Sequence, residues 1–232
     1  PEGEEDQAGG SYKVSKITAH YYKNDDNDGD EILVFNYDNQ GKIITCTCNG
    51  DQITYTYKND QITISESGNN KQTLKLNEKG YVSQSNYKND DETATYTYDA
   101  LGQISKINWT YTTSNFTWSE GNIAKEVYNN STGTYNYSAT YNYSSVENKA
   151  NFDFSSFLSE YFGGDEYEYC GLLNGSYFGK QNKNLVTNCQ EIENGEMLNC
   201  RYEYIFNKNG CVEKISQYEN NVLTVTYTVE YL

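Results

Sequence analysis

The chain has 232 residues, 25 of them tyrosine and only one proline, and a formal net charge of −16. That charge excludes a nucleic-acid surface, because counterion release from phosphates needs a lysine and arginine footprint. No apolar run reaches the roughly 18 residues of a membrane-spanning helix.

In chain order, residues 1–10 (Glu2, Glu4, Glu5 and Asp6, then Gly9 and Gly10) have nothing to pack and read as a flexible acidic tether. Because the chain opens at Pro1 and not at Met, an upstream segment is expected to have been removed. Residues 11–232 read as one domain, a length that all-β domains reach undivided. His20, the single histidine, falls in an expected strand beside Tyr21 and Tyr22, where a satisfied or exposed imidazole is expected and not a catalytic one. The stretch from Asn24 to Glu31 imitates the first half of a calcium loop. Asn24, Asp26 and Asp28 stand at its oxygen-ligand positions, but Phe35 stands where the bidentate glutamate belongs. An acidic hairpin turn is the expected reading, with calcium as the alternative.

From Phe35 a unit recurs about every twenty residues: an aromatic pair at i and i+2, a polar turn, usually a glycine, then an apolar residue. Copies are Phe35-Asn36-Tyr37-Asp38, Tyr55-Thr56-Tyr57-Lys58, Leu74-Lys75-Leu76-Asn77, Tyr96-Thr97-Tyr98-Asp99, Phe116-Thr117-Trp118-Ser119 and Tyr204-Ile205-Phe206-Asn207. Alternation such as Ile53, Tyr55 and Tyr57 against Thr54 and Thr56 marks half-buried antiparallel strands. The expected fold is mainly β, an antiparallel up-and-down meander of about a dozen strands, curved or barrel-like. Tyr135, Tyr137, Tyr141 and Tyr143, alternating with Asn and Ser in two adjacent strands, form either a sugar-stacking platform or the core face beneath a helix.

That helix is expected near 153–162. Phe154, Phe157, Leu158, Tyr161 and Phe162 recur at helical spacing, Asp153 suits the N-cap, and Gly163-Gly164 ends it. It should pack on the apolar face of the sheet. Six cysteines form neither a CxxC pair nor a Cys/His set. Counting outward from Asn194-Gly195, a two-residue hairpin turn, places Cys189 opposite Cys200, as a disulfide or as two buried thiols. The 33 acidic residues concentrate in turns, and no motif isolates two of them in an apolar pocket.

The hairpins with Tyr-Asp turns are similar to the tyrosine-aspartate repeats of bacterial surface proteins. The segment with Tyr143-Ser144, Asn148-Lys149, Asn151-Phe152-Asp153, Phe157-Leu158, Gly179-Lys180 and Lys183-Asn184-Leu185 resembles a family of uncharacterised Bacteroidetes lipoproteins, a domain of unknown function with a porin-like β fold. Val186 stands where that family is expected to carry proline. The resemblance implies a secreted domain in the periplasm or at the cell surface, touching the outer membrane only through a lipidated cysteine upstream of Pro1. It implies no activity. The functional expectation is a monomeric, non-enzymatic, cofactor-free binding domain for a glycan or an envelope protein. The alternative is a purely structural envelope module.

Overall fold

The computed structural model describes residues 12–22, 30–88, 93–159 and 167–232. The chain opens with β1 (Val14–Tyr21), β2 (Glu31–Tyr37), β3 (Ile43–Cys48) and β4 (Asp51–Lys58). It continues as β5 (Gln61–Glu66), β6 (Asn69–Leu76), β7 (Val82–Tyr87) and β8 (Thr93–Tyr98). Then come β9 (Ile104–Asn108), β10 (Thr112–Ser119), β11 (Asn122–Asn130) and β12 (Asn136–Glu147). An insertion follows, and the chain ends with β13 (Asn184–Glu193), β14 (Glu196–Phe206), β15 (Val212–Glu219) and β16 (Val222–Tyr231). Each strand pairs antiparallel with its chain neighbours, and β1 pairs with β16 from Ile17↔Val229 to Tyr21↔Val225, closing a barrel.

The meander is therefore present and closed, but with sixteen strands where about a dozen were expected. The difference lies in the turns. At one end, the far end, Asn49-Gly50, Ser67-Gly68, Asn194-Gly195 and Asn220-Asn221 reverse the chain in two residues, all at positive φ. Each repeat thus holds two short strands and little else. At the opposite, near end, Asp38, Asn77, Asp99 and Asn207 each accept two backbone N–H bonds on Oδ1 at 2.9–3.1 Å. These donors lie two and four residues on, which ties the whole turn to one side chain.

The aromatic repeat has a structural cause. In β1, β3, β7, β9, β11, β13 and β15 one residue near the start of the strand bulges out of register, Ile44 and Ala124 among them. On the other side of these strands the ladder stops short of the bulge, at Thr45 in β3 and at Lys125 in β11. A ring from the following strand takes over. Tyr37, Tyr57, Tyr98, Tyr143, Tyr204 and Tyr231 donate their hydroxyls to the carbonyls of Val14, Ile43, Val82, Ile123, Val186 and Val212 at 2.6–2.8 Å. Trp118 donates its indole N–H to Ile104 O at 2.7 Å. β5 supplies the control: it has no bulge against β4, its ladder with β6 runs on to Gln61↔Lys75, and Leu76 replaces the donor.

Strand alternation places apolar residues inside and polar ones outside. Ala94, Tyr96 and Phe116 are buried, whereas Thr93, Thr95, Thr97, Asn115 and Thr117 are exposed on the outer wall. Among the described residues, exposed apolar side chains include two pairs, Ile32 with Val34 on β2 and Ile192 opposite Met197 on β13 and β14, and Ile205 on β14. A membrane barrel has the reverse pattern, an apolar belt outside and a polar lumen.

The described residues of the insertion, 148–159 and 167–183, enter the lumen from the near end, a space that a barrel of sixteen strands would otherwise leave as a channel. Asn174, Tyr177, Lys180 and Lys183 bond the backbone of Gly41, Val82, Gly102 and Gly121 there. Deeper, Tyr55 donates to Glu168 O at 2.8 Å, Gln72 to the Tyr169 hydroxyl at 2.6 Å, and Lys71 pairs with the buried Glu168 carboxylate at 2.6 Å. A Cβ on Gly171 would lie 2.2 Å from the Tyr55 ring, so only glycine fits that approach.

The expected helix is α1 (Phe154–Ser159), and residues 160–166 lie outside the described residues. Asp153 caps it: Oδ1 accepts Ser156 N–H at 3.0 Å, and Oδ2 accepts the Ser156 hydroxyl at 2.8 Å and Asn182 N–H at 3.2 Å. The helix packs on the apolar face as expected, but inside the barrel, with the Phe157 ring 5.5 Å from Tyr227.

If the ring bonds cover carbonyls that the ladder cannot, Tyr98→Phe leaves Val82 O without a donor at no change in shape. The expected loss is ~1–2 kcal/mol of unfolding free energy in urea titrations. Leu76→Ile, at the strand lacking the bond, should change stability by less than the Tyr98 variant.

Candidate functional site

The insertion fills the lumen unevenly. Towards β2–β8 it reaches the far end, where Tyr167 bonds Glu31 and Tyr87 bonds Glu168. Towards β9–β15 its described residues at the end of α1 border a cup of about 650 Å³. Leu158 and Ser159 form its floor, and Trp109 and Tyr135, in or beside far-end turns, stand at its mouth.

The wall is built in rows across the strands. One row runs Glu126, Ala139, Glu191, Leu198, with neighbouring residues paired in register. Ala139, the small residue between the glutamates, leaves the space in front of it open. The row nearer the mouth runs Ser114, Tyr128, Tyr137, Glu193. The deeper row runs Tyr141, Cys189, Cys200, Glu219. Three rings line up at the rim: Trp109 lies 6.0 Å from Tyr128, which meets Tyr135 edge-on at 5.6 Å.

Glu126 is the most buried acid of the cup, with 6% of its surface exposed. Ser114 donates its hydroxyl to Oε1 at 2.6 Å. Burial pushes the Glu126 carboxyl up to about 7, with the Glu191 charge adding to the rise and the Ser114 bond opposing it. Burial likewise raises Glu191, which accepts from Cys189 and Tyr137 and is repelled by Glu219.

Of the tyrosines singled out from the alternation, Tyr135 and Tyr137 line the cup. Tyr137 stands in β12 and hydrogen-bonds Glu191, and Tyr135 precedes the strand. Tyr141 is buried and bonds Tyr137 and Cys189, while Tyr143 is one of the ring-to-carbonyl donors and also reaches Asn182 at 3.1 Å. Tyr137, Tyr141 and Tyr143 share one strand, not two, because the turn before them ends at Tyr135. Cys189 and Cys200 face each other as counted, as free thiols, with burial holding both protonated. His20 is exposed on the outer wall, its Nδ1 2.7 Å from Asp30 Oδ1. Asn24, Asp26 and Asp28 lie outside the described residues.

Contrary to expectation, the fold does gather carboxylates in one pocket. Glu126 escapes the alternation because the bulge at Ala124 shifts the parity: Ile123 and Glu126, three apart, both face inward. Glu191 was detectable, since it lies two residues from the inward Cys189.

No family model and no curated protein matches the chain. Solved structures do. A porin-like protein from Bacteroides vulgatus ATCC 8482 superposes with a TM-score of 0.70 at 18% identity, over 96% of this chain and 99% of that one. A porin-like protein from Bacteroides uniformis ATCC 8492 does so with a TM-score of 0.72 at 17% identity, over 94% and 98%. This chain shares their fold, which bears out the porin-like β part of the resemblance.

The raised Glu126 carboxyl sets a pH dependence. Between its ordinary 4.5 and about 7 the folded chain holds a proton that the unfolded chain has released, so stability is fullest below that window and falls as pH rises through it. Glu126→Gln removes this fall. The variant should match the parent near pH 4 and exceed it at pH 8 by at most roughly 3 kcal/mol in urea titrations; parallel pH profiles would contradict the assignment.

Proposed function

We propose that this chain is a non-enzymatic binding domain of the cell envelope, monomeric, held at the outer membrane by a lipidated cysteine upstream of Pro1, with the cup receiving a short glycan. The observation that carries the reading is the cup itself. A concave site walled by Trp109, Tyr128, Tyr135 and Tyr137, with carboxylates and Gln217 for hydroxyls, has the aromatic and polar composition of a small-ligand pocket. A purely structural module has no need of such a space. An envelope protein as ligand fits less well, since the polar groups lie inside the lumen and not on an outer face.

Two observations weigh against a pore. The lumen is filled from the near end by the insertion, and the outer strand faces carry threonine and asparagine where lipid contact needs apolar side chains.

A hydrolytic reading is favoured by one feature, the pair Glu126 and Glu191 in one cavity. Glycoside hydrolysis sets its two carboxyls apart, one raised as acid and one kept ionised. Here burial raises both. Binding is the better account.

The reading is tested on a glycan array with the parent and with Trp109→Ala. Binding to a restricted set of glycans, lost in the variant, is the expected result, with no release of sugar from the bound glycans and no conductance in planar bilayers. Conductance steps from the purified protein, or turnover abolished by Glu126→Gln, would replace this reading with the pore or the hydrolase.

A further inference from the structure

The cup's charge is one-sided. Among the described residues Glu126, Glu191 and Glu219 line it, and no lysine, arginine or histidine does. Among the described residues none of the three forms an ion pair. Glu126, nine-tenths buried, spends Oε1 on Ser114, while its Oε2 meets no hydrogen-bond donor among the described residues. A buried carboxylate with no cation beside it is costly to keep ionised.

The barrel has no structural need for an acid there. The inward position three residues after the start of the bulge holds Ile17, Cys46, Ser85, Ile107, Cys189 and Ile215 in the other bulged strands. Only β11 puts a carboxylate in it, and β11 faces the open part of the lumen. The unusual residue and the unfilled space coincide.

The arrangement also discriminates between kinds of cation. Glu126 and Glu191 flank Ala139, which sets their backbones about 10 Å apart across two strand spacings. Among the described residues no three acidic, histidine or cysteine side chains are grouped closely enough to ligate one metal ion. A charge spread along a wall suits an extended cation. The rim rings Trp109, Tyr128 and Tyr135 offer π faces, which attract ammonium groups and stack on apolar bodies.

We propose that the cup selects an organic ammonium ion, whose protonated amine seats between Glu126 and Glu191 while its body lies against the rim rings. This rests on the reading of the cup as a ligand site and adds the charge of the ligand. An amino sugar carries that group on a glycan, and a polyamine carries it without a sugar.

Titration calorimetry at pH 7 separates the cases with three probes: the β-1,4 disaccharide of glucosamine, its N,N′-diacetyl form, and spermidine. The free-amine disaccharide is expected to bind at least tenfold more tightly than the diacetyl form, and Glu126→Gln and Glu191→Gln should each cost about tenfold, with the fold checked by circular dichroism. Spermidine binding alone, with the same loss in both variants, upholds the ammonium site and overturns the glycan reading. Equal affinity for the two disaccharides overturns the ammonium inference and leaves a neutral glycan site. Silence from all three probes overturns both.

Discussion

The hydrogen bond from an aromatic ring to the carbonyl that opens each bulged strand is the constraint from which the rest of this barrel follows. Closing sixteen short strands needs local bends, and a bulge provides one at the expense of a ladder bond. A buried carbonyl left over would cost about 1–3 kcal/mol. A tyrosine hydroxyl or an indole N–H reaches it from the next strand while the ring covers the apolar lumen, so one residue repairs the ladder and fills space. The covariation inside the chain supports the causal link: seven strands have both the bulge and the ring donor, and β5 has neither. The abundance of tyrosine and the twenty-residue rhythm are consequences of that repair.

The same constraint determines where a site can form. Ring bonds gather at the near end, and the insertion enters there, tying itself to the backbone of the near-end turns. Its close approaches, Gly171 on Tyr55 and Gly179 on the Gly102 carbonyl, press it against the β2–β8 half of the wall. Among the described residues, α1 is what the insertion places in front of the opposite half. Among the described residues the cup is thus the part of the lumen that the plug does not occupy, lying away from the sealed near end.

An inverted polarity accompanies this plan. β8 and β10 turn threonine and asparagine outward and bury Ala94, Tyr96 and Phe116, the reverse of the apolar belt and polar lumen of a membrane barrel. Closure removes sheet edges in either polarity. What the polarity selects is the medium the wall can face, and outward threonine and asparagine suit a polar one.

Antiparallel strands, their turns and the capped helix are legible in the amino-acid sequence, because they rest on local chemistry. Threonine against tyrosine marks the two strand faces, Asp38 and Asn77 bond their own turns, and Asp153 caps its own helix. The opposition of Cys189 and Cys200 is legible for the same reason, since a two-residue turn transmits register directly. Closure, the filling of the lumen and the acidic cup were decided by tertiary structure alone. Closure joins β1 to β16, which no local rule connects. The cup needs Glu126, and simple alternation from Ile123 sends that residue outward. Only the bulge at Ala124, held in place by the Tyr143 ring of a neighbouring strand, turns its carboxylate into the lumen.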